Sequence, residues 1–418
     1  MTGPRLASMA WRNLWRQRRR TVLTLVSIAF GGFMAVLMTA MQDQSFADFI
    51  DNAARLGNGH VTIQHAEYQD RPTLTRTVTD TTKKRSTAEA DHDVVRAVDR
   101  ASGQAMLSTA RDSFGAFFIA YDPALETDET MEFTQGLVEG ELFETADSDG
   151  IVLGQVLAQN LQVELGEKIV FTLTDRSGEI VSGLERLSGI VKTGAASTDA
   201  ALVLLPIGTV RRVVGYKPDE STQVAVFLKD GRNSGDVRDR LAGHTNGLDR
   251  VLTWDEIQPE IKAFVAMKVG GGRVMELVIG VLVAAGIFNT LFMSVLERGR
   301  EFGIMLAIGY SPRQLFTMVM LESGFLAALG LVGAVLVSAG PYWYLSRTGI
   351  DMTQMIAESG QSAMDIGGVG MDPIMRIGIY PENAVIIGVA IVVATMLAGV
   401  FPAWKAGRVD PVQSINQN

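Results

Sequence analysis

Four long apolar runs, nearly free of charge, dominate the hydrophobic pattern of this 418-residue chain. They lie at residues 21–41, 274–296, 315–346 and 384–404. A helix needs roughly 20 apolar residues to cross the hydrocarbon core of a bilayer. We therefore predict four transmembrane helices. The long stretch between the first two runs has the mixed composition of a soluble protein.

The charges beside the first run predict its orientation. Residues 1–20 hold several arginines and no acidic residue, and positive residues beside a span stay in the cytoplasm. Trp11 and Trp15 share helical spacing with these arginines, which predicts an amphipathic helix on the inner membrane surface. The apolar run is longer than the roughly 7–15 residues of a signal-peptide core, so we expect an uncleaved anchor. Four spans then return the tail 405–418 to the cytoplasm.

Residues 42–272 form a large acidic region that this topology places outside the membrane. Apolar residues at helical spacing predict that the first helix continues outward until Gly57 and Gly59. A second stalk helix is predicted at 254–269. Gly270-Gly271-Gly272 interrupts it, either as a hinge or as a simple loop at the membrane face.

Strand and helix patterns alternate within this region without a strict repeat, which predicts an α+β domain. The fold class is therefore a four-helix membrane protein with a large α+β extracytoplasmic domain inserted between its first and second helices. Residues 71–87 are polar and predict an exposed loop. Strands are predicted at 61–64, 114–121, 168–174, 185–191, 201–206 and 224–228, and helices at 88–101, 155–161 and 233–242.

Residues that would support catalysis are missing from the sequence. The chain has no cysteine, which excludes disulfides, thiol nucleophiles and cysteine zinc sites. His60 and His65 lack a third ligand at suitable spacing. No G-x-x-x-x-G-K-[ST] motif occurs, and Gly150 to Gly154 lacks the third glycine of a dinucleotide site. We predict a non-catalytic subunit that binds no cofactor itself.

A charged connector at 297–313 joins the second and third apolar runs. A short loop at 347–382 joins the third and fourth apolar runs. The connector is too short to cross the membrane. The end of the second span and the start of the third therefore lie on the same side of the membrane as the connector. Three polar residues fall in or near the spans. We expect Asn289 to face another span or a partner subunit, with a direct role toward substrate as the alternative. Glu322 should pair with Arg298 or Arg313, unless it caps a helix or lies at the interface. Glu276 lies near a span end.

The connector sequence ERGREFGIMLAIGYSPRQLFTMVMLES resembles the cytoplasmic segment of FtsX-like ABC transporter permeases. The family pattern E-x-x-I-x-x-A-x-G-x-[ST] falls on residues 301–311. Three other stretches extend the similarity. The chain opens with the family pattern A-x-R-N-L-x-R, and the stretch 136–169 resembles the MacB-like periplasmic core domain. The closing family pattern falls on Pro402, Ala403, Ala406, Pro411 and Ile415. It implies a coupling helix that contacts a separate ATPase through Glu297, Arg298, Arg300, Glu301, Ile304, Ala307, Gly309 and Ser311.

The resemblance further implies a bacterial inner-membrane complex of two permeases, identical or paralogous, with two ATPases that hold ATP and magnesium. Membrane lipids are expected partners and nucleic acid is not. The layout favours release of lipoproteins or lipid-linked substrates, as in Lol-type relatives, with a periplasmic lipoprotein carrier as partner. Export through a tripartite pump with a membrane-fusion protein, and regulation of a cell-wall hydrolase, are alternatives. Five methionines in 347–382 form either a soft surface beside a lipidic substrate or packing against the external domain: Met352, Met355, Met364, Met371 and Met375.

Overall fold

The computed structural model describes residues 3–16, 18–245, 247–354, 368–370 and 374–409. The chain divides into two compact units. The first comprises Met1–Ser45, Ala266–Ile350 and Met375–Asn418, and the second Phe46–Val265 with Asp351–Ile374. Met355, Met364, Met371, Pro411 and Ile415 lie outside the described residues.

The helices follow the chain from α1 to α12. They are α1 (Gly3–Arg16), α2 (Arg18–Ala53), α3 (Thr81–Glu89), α4 (Gln155–Leu161), α5 (Ala196–Asp199), α6 (Ile207–Val214), α7 (Ser234–Ala242), α8 (Trp254–Ile257), α9 (Pro259–Glu297), α10 (Gly299–Ala307), α11 (Pro312–Thr348) and α12 (Pro381–Ala406), with a π-helical turn at Ala54–Asn58.

The strands lie almost entirely in the second unit. They are β1 (Val61–His65), β2 (Val78–Thr79), β3 (Val94–Ser108), β4 (Ser113–Tyr121), β5 (Leu137–Gly140), β6 (Ile151–Gly154), β7 (Lys168–Thr174), β8 (Ile180–Val191), β9 (Leu202–Pro206), β10 (Glu220–Ser221), β11 (Gln223–Leu228), β12 (Asp249–Thr253), β13 (Ile350–Asp351) and β14 (Ile374–Met375).

Among the described residues, four helices are long and apolar enough to cross a membrane. They are α2 with its π-helical turn, α9, α11 and α12. The α/β domain lies between the first and second of them in the chain, so the predicted fold class is confirmed.

Small residues bring the spans together. A side chain at Gly32 would collide with Ala334 of α11 and Ile391 of α12, and one at Gly330 would collide with Ile28 of α2. Lipid offers helices no hydrophobic driving force, so close packing of small residues stabilises such contacts.

The glycine triplet 270–272 does not interrupt a helix, and the predicted hinge or loop there is wrong. α9 runs through all three glycines. Gly272 leaves room for Gln42 of α2, whose amide would collide with a larger side chain. The break falls earlier, at Gln258, with φ −119° and ψ 72°. Pro259 then begins α9 because proline suits the first helical turn.

Part of the domain sheet closes into a barrel. The strands β3, β4, β9, β6, β8 and β7 pair in that order around the ring, and β7 pairs with β3 to close it. Buried apolar residues such as Leu107, Phe118, Phe171 and Leu205 fill the core. β12, β1 and β11 extend the sheet from β3 and pack with α3 and α7.

The predicted strands and the predicted helices at 155–161 and 233–242 agree with the structure to within a few residues. Besides the glycine triplet, two predictions for the domain are wrong. The helix predicted at 88–101 is the end of α3 followed by strand β3, whose charged residues Asp99 and Arg100 are buried through ion pairs. The loop predicted at 71–87 contains β2 and most of α3, because Lys84 buries its stem and pairs with Asp249 at 2.6 Å.

Candidate functional site at the connector

The connector is a short helix with a tight turn at its end. Gly309 adopts φ 104°, in the left-handed region that favours glycine. There the backbone N–H of Tyr310 donates to the Met305 carbonyl at 3.0 Å, which ends α10. Ser311 then caps α11 through a capping box with Gln314. The sequence positions that resemble the family pattern therefore build this turn.

One face of α10 is buried against the helical unit. Phe302 is fully buried. It packs with Val295 at the end of α9, Leu315 and Met318 of α11, and Ala403 of α12. Burying a phenylalanine side chain contributes about 2–3 kcal/mol. The connector is therefore held firmly against the helix ends.

The opposite face of α10 is exposed and partly apolar. Ile304 is 43% exposed and Ile308 75% exposed. They lie four residues apart and so share one helix face. Arg300 and Arg313 are also exposed. This surface, which we call the connector face (Arg300, Ile304, Ala307, Ile308 and Arg313), suits contact with another protein.

A buried ion pair fixes the start of the connector to α11. Arg298 Nη1 donates to the two carboxylate oxygens of Glu322 at 3.1 and 2.9 Å. Asn13 of α1 also donates to Glu322, at 2.9 Å. Arg298 is only 8% exposed, and its guanidinium lies 5.0 Å from the centre of the Phe302 ring. The expected pairing of Glu322 with Arg298 is present, whereas Asn13 is a partner that the sequence did not reveal.

Two further ion pairs connect the connector to the N-terminal arginines. Arg16 lies 2.8 Å from Glu301. Arg20 forms two hydrogen bonds of 2.8 Å with Glu297. These pairs are more exposed than Arg298–Glu322, and each contributes about 0–1 kcal/mol. The sequence carried a sign of these pairs: an arginine block precedes the first span, and acidic residues follow the second span.

A polar cavity lies among these groups. Its volume is about 110 Å³, and Asn13, Arg20, Thr24, Arg298 and Glu322 are among its lining residues. A site with several buried polar groups and this much room suits ordered water. The connector, α1 and α11 thus meet around a polar centre at one end of the helical unit.

Comparison with known proteins assigns the family. The family described as FtsX-like permease C-terminal matches residues 274–411, including the whole connector. The MacB-like periplasmic core domain matches residues 21–243, more than half of the chain. The chain belongs to the FtsX-like, MacB-type ABC transporter permeases.

Individual relatives agree with this family and differ in cargo. The lipoprotein-releasing system transmembrane protein LolC of Xylella fastidiosa strain 9a5c is 25% identical, covering 63% of this chain and 64% of LolC. The ABC transporter permease YtrF of Bacillus subtilis strain 168 is 30% identical, covering 47% of this chain and 42% of YtrF. The pyoverdine export ATP-binding/permease protein PvdT of Pseudomonas putida strain KT2440 is 24% identical, covering 97% of this chain and 58% of PvdT. This chain therefore matches less than two thirds of the length of each relative.

The structure divides the predicted coupling residues of the permease into two groups. Arg298 is buried and pairs with Glu322 of α11, and Glu301 is half-buried and pairs with Arg16 of α1. The other six are exposed or half-exposed on the connector surface: Glu297, Arg300, Ile304, Ala307, Gly309 and Ser311. A direct contact with a partner is therefore available to this second group.

The two remaining polar residues of the permease spans have different surroundings. Asn289 is exposed on α9, and no hydrogen bond joins it to the described residues of this chain. Within that part of the chain Asn289 makes no hydrogen bond to another span, and its contact with a partner subunit stays a prediction. Glu276 accepts a hydrogen bond from the Thr39 hydroxyl at 2.8 Å.

The α/β domain contains a buried anchor that the sequence did not reveal. Arg100 is fully buried and forms hydrogen bonds of 2.7 and 2.8 Å with Glu126. It also donates to the carbonyls of Gly57 and Thr130, each at 2.8 Å. Gly57 belongs to the π-helical turn that ends the first long helix. Arg100 thus ties that helix end to strand β3.

The histidines of the permease do not suit a metal site at the positions considered from sequence. His60 is buried, bonds to Asp51 at 2.8 Å and accepts from the Leu228 backbone N–H. Elsewhere Asp91, His92 and Asp93 lie close together, but Arg240 donates to both carboxylates at 2.5 to 2.9 Å. The hydrogen bonds from Arg240 lower the pKa of Asp91 to about 2.

Proposed function

We propose that this chain is the permease subunit of an ABC transporter in a bacterial inner membrane. A separate ATPase supplies the energy, and its motion enters through residues 297–313. One observation carries the proposal: the connector is fixed to α11 and α1 by the buried Arg298–Glu322–Asn13 network, while Ile304 and Ile308 remain exposed.

The connector face has the composition of a protein contact. Interface centres are enriched in apolar side chains and arginine, and this face presents two isoleucines flanked by Arg300 and Arg313. FtsX-like permeases act with an ATPase, and the sequence of this chain contains no phosphate-binding loop. The ATPase is therefore the partner that we assign to the connector face.

The buried network gives a physical route for force. A displacement of α10 moves Arg298, and breaking its bonds with Glu322 would leave an uncompensated charge at a cost of about 3–5 kcal/mol. The pair is thus stiff enough to move α11 with α10. Because Asn13 shares Glu322, α1 moves as well.

We propose lipoproteins or lipid-linked molecules as the cargo, taken from the membrane and passed to a periplasmic carrier. The support is the LolC relative and the layout of four spans with one large domain between the first two. Export through a membrane-fusion protein is the second candidate, because the match with the pyoverdine exporter PvdT spans 97% of this chain.

A second permease copy is also proposed, with both termini in the cytoplasm and the large domain outside. Six exposed residues of α9 repeat at alternating four- and three-residue steps: Gly271, Met275, Val278, Leu282, Ala285 and Asn289. This is the spacing of a two-helix seam, in which one asparagine fixes the register. An amide both donates and accepts, so two Asn289 side chains satisfy each other across a two-fold axis.

Affinity purification of the complete chain from its own host tests the ATPase assignment. The parent chain should retain an ABC ATPase identified by mass spectrometry. The Ile308→Glu variant should lose it, because the charge falls on the exposed face and not in the core. The conservative Ile308→Val variant is the matched control. Equal ATPase recovery with Ile308→Glu and Ile308→Val would contradict the assignment of the connector face.

The cargo is tested separately with spheroplasts depleted of this chain. Retention of newly made lipoproteins in the inner membrane, relieved by the parent chain, supports lipoprotein release. Normal lipoprotein release together with intracellular accumulation of a small exported molecule would favour the second candidate.

A further inference from the structure

An apolar groove lies between three of the long apolar helices, along residues 276–287 of α9. Its volume is about 130 Å³. α2, α9 and α12 form its walls through residues such as Ala35, Val283, Ile387 and Ile391. Among the described residues that line it, Glu276 carries the only charge.

Glycines shape this groove in two ways. Side chains at Gly31 and Gly32 would collide with Val283 and Ile391, so these glycines let the walls approach one another. Gly280 also lines the groove, yet a Cβ atom there would meet nothing within 4 Å. The groove therefore has free space beside Gly280. In a bilayer such apolar space fills with hydrocarbon, because a void forfeits dispersion contacts.

Two carboxylates lie in the apolar runs, Glu276 and Glu322, and their partners differ in charge. Glu322 is neutralised by Arg298, whereas Glu276 accepts from the neutral hydroxyl of Thr39. Within the described residues no basic group lies within ion-pair distance of Glu276. An uncompensated carboxylate beside hydrocarbon costs a few kcal/mol, so a cation from outside the chain would be stabilised there.

A positive charge lies one helical turn away. Arg273 precedes Glu276 by three residues on α9, a rise of about 4.5 Å, and is exposed. The two side chains thus present opposite charges at neighbouring heights beside the opening of an apolar groove. A lipid headgroup with a phosphate and a primary ammonium carries the complementary pair of charges.

We propose that this groove binds a membrane phospholipid with a primary amine headgroup, of the phosphatidylethanolamine class. One acyl chain lies in the groove beside Gly280, the ammonium group donates to Glu276, and the phosphate contacts Arg273. The site goes beyond the transport function and does not depend on the ATPase partner. A lipid held there would stabilise the contact of α2, α9 and α12.

Native mass spectrometry of the complete chain tests the site. The chain is reconstituted in nanodiscs of equal parts phosphatidylethanolamine, phosphatidylcholine and phosphatidylglycerol, then released in mild detergent. The parent should retain phosphatidylethanolamine in preference to the other two. Glu276→Gln keeps the side-chain shape but removes the charge, and should reduce this preference about tenfold, the value of one charge-assisted hydrogen bond.

Two glycine variants separate the groove from general lipid contact. Gly280→Leu fills the free space and should abolish phosphatidylethanolamine retention. Gly340→Leu is the control, because Gly340 on α11 also has nothing within 4 Å of its Cβ position and does not line the groove. Equal retention of the three lipids by the parent, or unchanged retention in both Glu276→Gln and Gly280→Leu, would overturn the proposal. If Glu276→Gln fails to fold, the comparison of Gly280→Leu with Gly340→Leu decides.

Discussion

Arg298 and Glu322 form a two-point ion pair, with Nη1 of Arg298 3.1 and 2.9 Å from the two carboxylate oxygens. Arg298 directly follows α9, whereas Glu322 lies inside α11. Both side chains are buried. The pair therefore joins the beginning of the connector to the helix that follows it, at a depth where an unpaired charge is costly.

Removal of one partner of this pair should destabilise the protein. We expect Glu322→Gln to lower the free energy of unfolding by about 3 kcal/mol, since Arg298 loses its buried partner and keeps only Glu301, 3.3 Å away, as a counter-charge. The double variant Arg298→Met with Glu322→Met should recover most of the loss, because it replaces the pair with apolar side chains of similar size. Thermal unfolding in detergent measures both. A double variant that unfolds as readily as Glu322→Gln would contradict this view of the pair.

The turn after α10 should depend on glycine at one position and not at another. Gly309→Ala places a side chain at φ 104°, which should cost about 1–2 kcal/mol and tilt the connector face. Gly299→Ala is the matched control, because Gly299 lies within α10 and has nothing within 4 Å of its Cβ position. Unfolding of the two variants is compared. A Gly309→Ala variant as stable as Gly299→Ala would show that the turn does not need its left-handed conformation.

Among the described charged residues of the α/β domain, Arg100 should be the most sensitive to substitution. Arg100→Met leaves the buried Glu126 carboxylate without its counter-charge, with an expected loss of about 3–5 kcal/mol. Arg238, which pairs with Asp239 on the surface, is the control, and Arg238→Met should change stability by at most about 1 kcal/mol. Hydrogen exchange of the complete chain should also show faster exchange around residues 54–58 in Arg100→Met alone. Equal effects of the two substitutions would contradict the role of Arg100 as an anchor.

The absence of cysteine makes the proposed α9 seam directly measurable. Asn289→Cys should form a disulfide-linked dimer in native membranes under mild oxidation, because residues at the centre of a two-fold seam face their own copies. Val332→Cys, exposed on α11, is the control and should remain monomeric. Cross-linking of Val332→Cys but not of Asn289→Cys would place the contact between copies on another helix.

The parts of this fold that depend on local pattern were predictable from sequence. Long apolar runs predicted the spans, and the charged residues between two of these runs predicted the connector. The cost of a lone carboxylate in a span predicted an ion pair for Glu322 and left Arg298 and Arg313 as the possible partners. These features are set by residues close in sequence or by a single strong energetic penalty.

Contacts between distant residues were not predictable in the same way. Strand β3 resembled a helix because its charged residues are buried by partners far along the chain, including Glu126 for Arg100 and Arg211 for Asp99. The glycine triplet looked like a break because nothing nearby in sequence reveals that Gln42 packs on Gly272. Asn13 was likewise hidden, since its acceptor Glu322 is 309 residues away.

The coupling role of the connector is tested most directly by the rate of ATP hydrolysis of the partner ATPase with and without this chain in lipid nanodiscs. The double variant Arg298→Met with Glu322→Met keeps the connector face and should bind the ATPase as the parent does. Our account predicts that this bound variant stimulates hydrolysis much less than the parent, because the ion pair that joins the start of the connector to α11 is gone and only apolar packing remains. Stimulation equal to that of the parent chain would contradict it.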